Sequence, residues 1–220
     1  MSMINIPMVT LMVIIFTTIA SYFGFQNESL IWKYIFDAKR IMQKKEYYRL
    51  LSSALFHASW THLLFNMFSF YAFAVYMEKA IGPIMLLLLY VLSILGGGIL
   101  SLVINYKRDY LALGASGGVS GVIFASIFII PGGSVIVFPL PLPIPPWLYA
   151  VAFVLISMYG MQRRMDNTGH DAHLGGALAG LFFTLWVYPD AIADELLFFS
   201  AIVLAIVIFI IYVITHPAKQ

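Results

Sequence analysis

The 220-residue chain has the length of one domain, but 62% of its residues are hydrophobic and only 10% are charged, proportions outside those of soluble domains. A formal net charge of +2 excludes the strongly basic field that nucleic-acid binding needs. The absence of cysteine excludes disulfides, thiolate nucleophiles and Cys-ligated zinc or iron–sulfur centres.

The charges fall in clumps. Residues 1–27 carry none, a charged segment runs from Glu28 to Arg49, and charge-free runs follow at 50–77, 80–106, 110–162, 172–189 and 196–218. A bilayer-crossing helix needs roughly 20 apolar residues, so five of these six gaps fit one span each. The run 110–162 is too long for one, and is divided at Pro131-Gly132-Gly133 and through Pro139, Pro141, Pro143, Pro145 and Pro146. The expectation is an all-α polytopic membrane protein with spans at 7–26, 59–78, 84–104, 114–131, 147–162, 171–189 and 196–214. Helices are required because an open sheet edge cannot be satisfied in lipid. Span one lacks a basic leader, which favours a retained helix over a cleaved signal peptide.

Parity then collects the polar residues. Spans two, four and six all start on the side that carries the 27–58 loop, here called side X. Near those starts lie His57, His62 and Asn66, then Ser116, then His170 and His173. Polar groups inside membrane helices face the protein interior or a water-filled cavity. Each alone has a plain structural reading: a serine bonding its own i−4 carbonyl, a histidine at the interface, an amide bridging helices. Their convergence at similar depth on three parallel spans favours one site. Ser116 follows Lys107-Arg108-Asp109 closely, which puts it on the order of 10 Å below the surface.

Such a site has the parts for acyl transfer. Ser116 with an imidazole from span six supplies nucleophile and general base. His62 and Asn66, spaced i, i+4, share a helix face and can donate hydrogen bonds to an oxyanion. Gly117 and Gly121 on span four, with Gly176 and Gly180 on span six, permit the close approach the pair needs. Asp171 is expected at the surface. The competing chemistry is a zinc site built from His57, His62, His170 and His173. Against it, no H-E-x-x-H pattern occurs, and side chains five apart diverge by about 140° on a helix. No metal or cofactor is expected.

These residues resemble the rhomboid intramembrane serine proteases. HASWTHLLFN (57–66) matches the H-x4-H-x3-N of that family's second core helix, GASG (114–117) its G-x-S-G, and AHLGGALAG (172–180) its A-H-x2-G-x3-G. YYRLLSSALFH (47–57) looks like its aromatic-Arg segment, and Glu78 falls at a common glutamate position. The resemblance implies a six-helix core over residues 1–190 plus one extra C-terminal span and tail, 191–220. It makes Ser116 the nucleophile and His173 its base. His62, Asn66 and backbone N–H groups at Ser116, Gly114 or Ala115 become the oxyanion donors. His57 and Arg49 become supports, Arg49 holding the 27–58 loop, whose Trp32, Tyr34, Tyr47 and Tyr48 suit the membrane interface. The implied activity is a serine endopeptidase acting on transmembrane protein substrates within the lipid bilayer, with lateral substrate entry near span five and Trp147. The alternatives are a catalytically inactive rhomboid-fold protein that binds or escorts membrane proteins, and a metal-dependent hydrolase or transporter. Oligomeric state is left unspecified.

Two features depart from the resemblance. Where some members carry an aromatic four residues after the nucleophile, this chain has Ser120, so support for the imidazole is absent or comes from elsewhere. The family analogy turns side X outward from a prokaryotic cell membrane. Yet eleven of the twelve Lys and Arg residues, all but Lys79, lie on side X, which by the positive-inside rule would be cytoplasmic.

Overall fold

A computed structural model describes residues 6–130, 132, 135–136, 143–163 and 169–215. Helix α1, Met8–Gln26, ends at Asn27, whose side chain accepts the Ser29 N–H and so starts α2, Glu28–Tyr34. After strand β1, Phe36–Asp37, the Asp37 carboxylate caps α3, Ala38–Lys44, which stops where Lys45 turns left-handed at φ +58°. Helix α4, Arg49–Ser52, runs into a 3₁₀ turn at Ser53–Leu55. Ser59 then caps α5, Trp60–Ile81, through the N–H of His62, which fixes His62 in the first helical turn. Helix α6, Pro83–Asn105, begins with proline, where a missing N–H costs no helical bond. Strand β2, Leu111–Ala112, precedes α7, Ser116–Ile129. Strands β3, Val135–Ile136, and β4, Pro143–Ile144, lead to α8, Pro146–Arg163, and α9, His170–Val187. A 3₁₀ segment, Pro189–Glu195, joins α9 to α10, Leu196–Thr215. Pro131, Gly133, Pro139 and Pro141 of the expected break, and Arg164 and Lys219 of the charge count, lie outside the described residues.

The seven long helices, α1 and α5–α10, occupy the seven expected spans, and the strands amount to two antiparallel pairs of two residues each among the described residues. By length and composition α1, α6 and the stretch Pro189–Thr215 could cross a membrane, whereas α7 and α8 count as shorter apolar helices. The chain is thus an all-α membrane protein. Span four differs from the expectation in starting at Ser116 rather than 114. Its 14 residues are about 21 Å long, short of the roughly 30 Å hydrocarbon core. Ser116 thus stands at the head of a short helix.

Helices α6, α7 and α9 form the centre, and glycine lets their backbones touch. A side chain at Gly176 would collide with the Gly117 carbonyl, one at Gly180 with that of Gly121, and one at Gly121 with Ser93 of α6. A Cβ at Gly97 of α6 would lie 2.7 Å from the Ala172 carbonyl. Around this seam Leu86, Leu89, Val122, Ala125, Ala177 and Leu181 are fully buried. Glu78, near the far end of α5, accepts from the N–H groups of Val9 and Thr10 at 2.9 and 2.7 Å and from the Thr10 hydroxyl at 2.7 Å. It thereby satisfies the otherwise unpaired start of α1. The added helix α10 buries only Phe199, Ile202 and Ile206, with Phe199 packed edge-on against Phe128 of α7.

Candidate active site

The segment ahead of Ser116 is stitched to the 27–58 loop. β1 pairs with β2 in the register Phe36↔Ala112 and Asp37↔Leu111, and Ala38 N donates to Tyr110 O. Gly114 N donates to Ser53 O at 3.0 Å and Ala115 N to His57 Nε2 at 3.3 Å. These two N–H groups, expected as oxyanion donors, are therefore already engaged. Gly114 has φ +124°, and the His62 ring lies where its Cβ would stand, so only glycine fits there.

The loop itself hangs on a buried cation. Arg49, 1% exposed, donates to Trp32 O at 3.2 Å and Ile35 O at 2.7 Å, and its Nε pairs with Glu46. That guanidinium, first by hydrogen bond and then by charge, holds the Glu46 carboxyl below its usual range.

His57 is fully buried. Its Nδ1 meets the Ser21 hydroxyl at 2.9 Å, and that hydroxyl donates to Leu55 O at 3.0 Å. Since Nε2 accepts the Ala115 N–H, the consistent tautomer carries its proton on Nδ1. Burial, aided by the neighbouring His62, pushes the imidazole down to about 3, so the ring is neutral in ordinary buffers. His57 thus links α1, the loop and the residue preceding Ser116 and does not line the cavity described below.

His62 is the next ring along, 4.9 Å from His57 and edge-on to it. Its Nδ1 faces the Ala58 N–H at 3.5 Å, leaving Nε2 as the proton-bearing atom beside Gly114. Asn66, one turn further, donates one amide hydrogen to His62 O at 3.0 Å and keeps a second donor. Both side chains line a cavity of about 400 Å³ with Ser53, Ser101, Ser116 and His173. Ser116, Gly117 and Gly118 open α7, whose first N–H to close a helical bond onto the preceding turn is that of Val119, to Ala115 O. Free N–H groups at a helix start favour developing negative charge. The structure therefore brings Ser116, His173, His62 and Asn66 to one cavity, with three kinds of donor converging on it.

Asp171 corrects an expectation. It is 5% exposed rather than a surface group, and its Oδ2 accepts from Asn105 Nδ2 at 2.6 Å while Oδ1 accepts from the Tyr110 hydroxyl and the Ala172 N–H, both at 2.9 Å. Burial, then the adjacent Asp171 charge, raises the Tyr110 hydroxyl above the ordinary tyrosine range. Asp171 ties the start of α9 to α6 and to the segment entering α7, two residues from His173. Sequence reasoning missed Asn105 and Tyr110; the one available signal was an amide at the end of an apolar span.

His170 is the first residue of α9, packed where a side chain at Gly160 would stand. Its ring is edge-on to His173 at 5.8 Å. Among the described residues no group of three potential ligands could hold a metal ion. The Ser120 hydroxyl donates to Ser116 O at 2.8 Å, so it turns into its own helix. A different ring, Phe153 of α8, lies beside His173, with centroids 5.8 Å apart and planes inclined by 38°.

Comparison with known proteins bears on this arrangement. Residues 44–190 match the model of the Rhomboid domain. Over 154 residues the chain is 30% identical to "Rhomboid protease GlpG" of Haemophilus influenzae, covering 68% of this chain and 72% of that protein. It is 26% identical over 182 residues to "Rhomboid protein 1, mitochondrial" of Saccharomyces cerevisiae, with 79% of this chain and 51% of that one covered. To "RHOMBOID-like protein 6, mitochondrial" of Arabidopsis thaliana the identity is 31% over 161 residues, with 72% and 50% covered. The chain thus spans about half the length of several curated relatives it matches, and these relatives include mitochondrial and plant proteins as well as bacterial ones, so they do not single out a prokaryotic membrane. The matched region contains Ser116, His173, His62 and Asn66, and the chain belongs to the rhomboid family.

Proposed function

We propose that the chain is an intramembrane serine endopeptidase that hydrolyses peptide bonds in or near transmembrane segments. The observation that carries this reading is the shared cavity: Ser116 heads α7, His173 lies in the first turn of α9, and His62 and Asn66 face the same space. The Ser116 hydroxyl attacks the scissile carbonyl carbon while His173 takes its proton. The resulting oxyanion accepts from the Ser116 N–H, His62 Nε2–H and the spare Asn66 Nδ2–H. His173 returns the proton to the departing amine, the C–N bond breaks, and an acyl-enzyme remains. Water, deprotonated by His173, adds to the ester; collapse releases the carboxylate product and restores the Ser116 hydroxyl. Asp171 is not assigned as a third member of the dyad, because its oxygens are committed to Asn105, Tyr110 and its own helix.

Hydrolysis requires water inside the membrane, and the polar lining contributed by Ser53 and Ser101 supports entry from side X. The substrate helix must open locally to present its carbonyl, which favours segments with helix-weakening residues and a small residue at the cut. The family resemblance turns side X to the non-cytoplasmic face, whereas the Lys and Arg count turns it to the cytosol. A single cysteine placed at Gln43, labelled in intact cells by an impermeant maleimide, tests the orientation; protection from the reagent would put the site on the cytosolic side. Covalent labelling of the detergent-purified protein with a fluorophosphonate tests the nucleophile. Labelling should vanish in Ser116→Ala and fall at least a hundredfold in His173→Ala, on the order of a general base's contribution. Equal labelling of wild type and Ser116→Ala would exclude the assignment.

A further inference from the structure

The base of a Ser–His pair must hold one ring orientation, and packing against neighbouring rings helps to set it. Two rings flank it: His170, edge-on at 5.8 Å, and Phe153, tilted by 38° at 5.8 Å. Both separations lie within the roughly 4.5–7 Å range of interacting aromatic rings. His170 comes from the same helix, one turn before, whereas Phe153 comes from another helix and is itself held. Its ring packs edge-on to Phe124 of α7 at 5.3 Å and lies 5.9 Å from Tyr149, one turn back on α8. Phe124 is fully buried two turns beyond Ser116, on the helix that carries the nucleophile. The rings of Phe124, Phe153 and His173 thus form a continuous series from α7 through α8 to α9. Ser120, on the nucleophile's own helix face, has no ring and spends its hydroxyl on the Ser116 carbonyl.

We propose that Phe153 is a positioning residue for His173, supplying from α8 the aromatic face that α7 does not supply at Ser120. This rests on the Ser–His reading above. It has a mechanical consequence, because α8 is attached along one stripe only. Ala150, Val154, Ser157 and Gly160 are buried, whereas Trp147, Leu155, Ile156 and Tyr159 on its outer side are exposed. A displacement of α8 would carry Phe153 away from the imidazole, so alignment of the base depends on this helix being docked.

The test compares Phe153→Leu and Phe153→Met, which keep apolar bulk without the ring, with Phe153→Tyr, which keeps the ring. Fluorophosphonate labelling of the full chain in detergent reads the dyad with a small reagent that needs no lateral entry. The non-aromatic variants should label about tenfold more slowly, equivalent to ~1.4 kcal/mol, and should cleave a transmembrane peptide with lower kcat at unchanged KM. Phe153→Tyr should stay within about twofold of wild type, the spread expected of a retained ring contact. Thermal midpoints identify folded variants, and either non-aromatic variant suffices. Wild-type labelling rates in a folded non-aromatic variant would overturn the proposal, as would equal slowing in Phe153→Tyr, which would mark a packing role alone. Should wild type itself fail to label, or label as well after Ser116→Ala, the Ser–His reading fails and this proposal with it. Ser116-dependent labelling with an unimpaired Phe153→Leu defeats the positioning role only.

Discussion

The seam between α7 and α9 and the attachment of α8 hold the same site in opposite ways. At the seam, backbone meets backbone through Gly117, Gly121, Gly176 and Gly180, and no side chain intervenes that could adjust. Along α8 the contact is one row of side chains, and the ring of Phe153 reaches across to His173. Backbone contact fixes the separation of two helices, whereas side-chain contact can be made and lost. In the proposed reading the glycines set the separation of the helices that carry Ser116 and His173, and a ring on a less firmly held helix aims the His173 imidazole.

Breaking the seam should have the largest effect. Gly176→Val puts a branched side chain against the Gly117 carbonyl, where no rotamer relieves the collision. We expect a loss of more than ~3 kcal/mol, the upper range for overpacking, seen as absent or sharply lowered thermal unfolding in detergent. A wild-type midpoint would show that the seam yields. The next effect is at the anchor of α9. Asp171→Ala would strip buried donors on Asn105 and Tyr110 of their acceptor, at about 1–3 kcal/mol for each group left unsatisfied. Asp171→Asn, which keeps one acceptor oxygen, should lose less stability than Asp171→Ala in the same measurement.

Acidification probes the loop side of the comparison. His57 has a folded-state value of about 3 against an ordinary 6.5, so the unfolded chain binds the proton first as pH falls. The stability that neutral His57 contributes is complete above about pH 6.5 and is lost progressively as pH falls toward 3. The thermal midpoint should therefore decline through that window. His57→Gln, which cannot titrate, should show a shallower decline and cost about 1 kcal/mol at neutral pH through altered hydrogen bonds. Parallel pH curves for the two proteins would remove His57 as the source.

What was legible in the sequence follows the same division. Charge-free runs set by the bilayer marked the seven helices, and parity brought Ser116, His62, Asn66 and His173 to one side without any coordinates. The i, i+4 glycines marked the seam because small residues at that spacing lie on one helix face. Asp171 was misread because its acceptors' partners, Asn105 and Tyr110, are 66 and 61 residues away, and nothing local marks an acid at a span start as facing inward. The engagement of the Gly114 and Ala115 N–H groups was hidden for the same reason, since Ser53 and His57 arrive through the long 27–58 loop. Phe153 is one aromatic among 18 phenylalanines, and in an apolar span only packing separates it from lipid-facing neighbours.

The most direct measurement of the central claim is cleavage of a single-span transmembrane substrate by the purified full chain in liposomes, compared with Ser116→Ala and His173→Ala. The account predicts a discrete cut in or near the substrate's membrane segment that is lost in both variants and persists with a chelator. Cleavage that survives Ser116→Ala, or that stops when metal is removed, would contradict it.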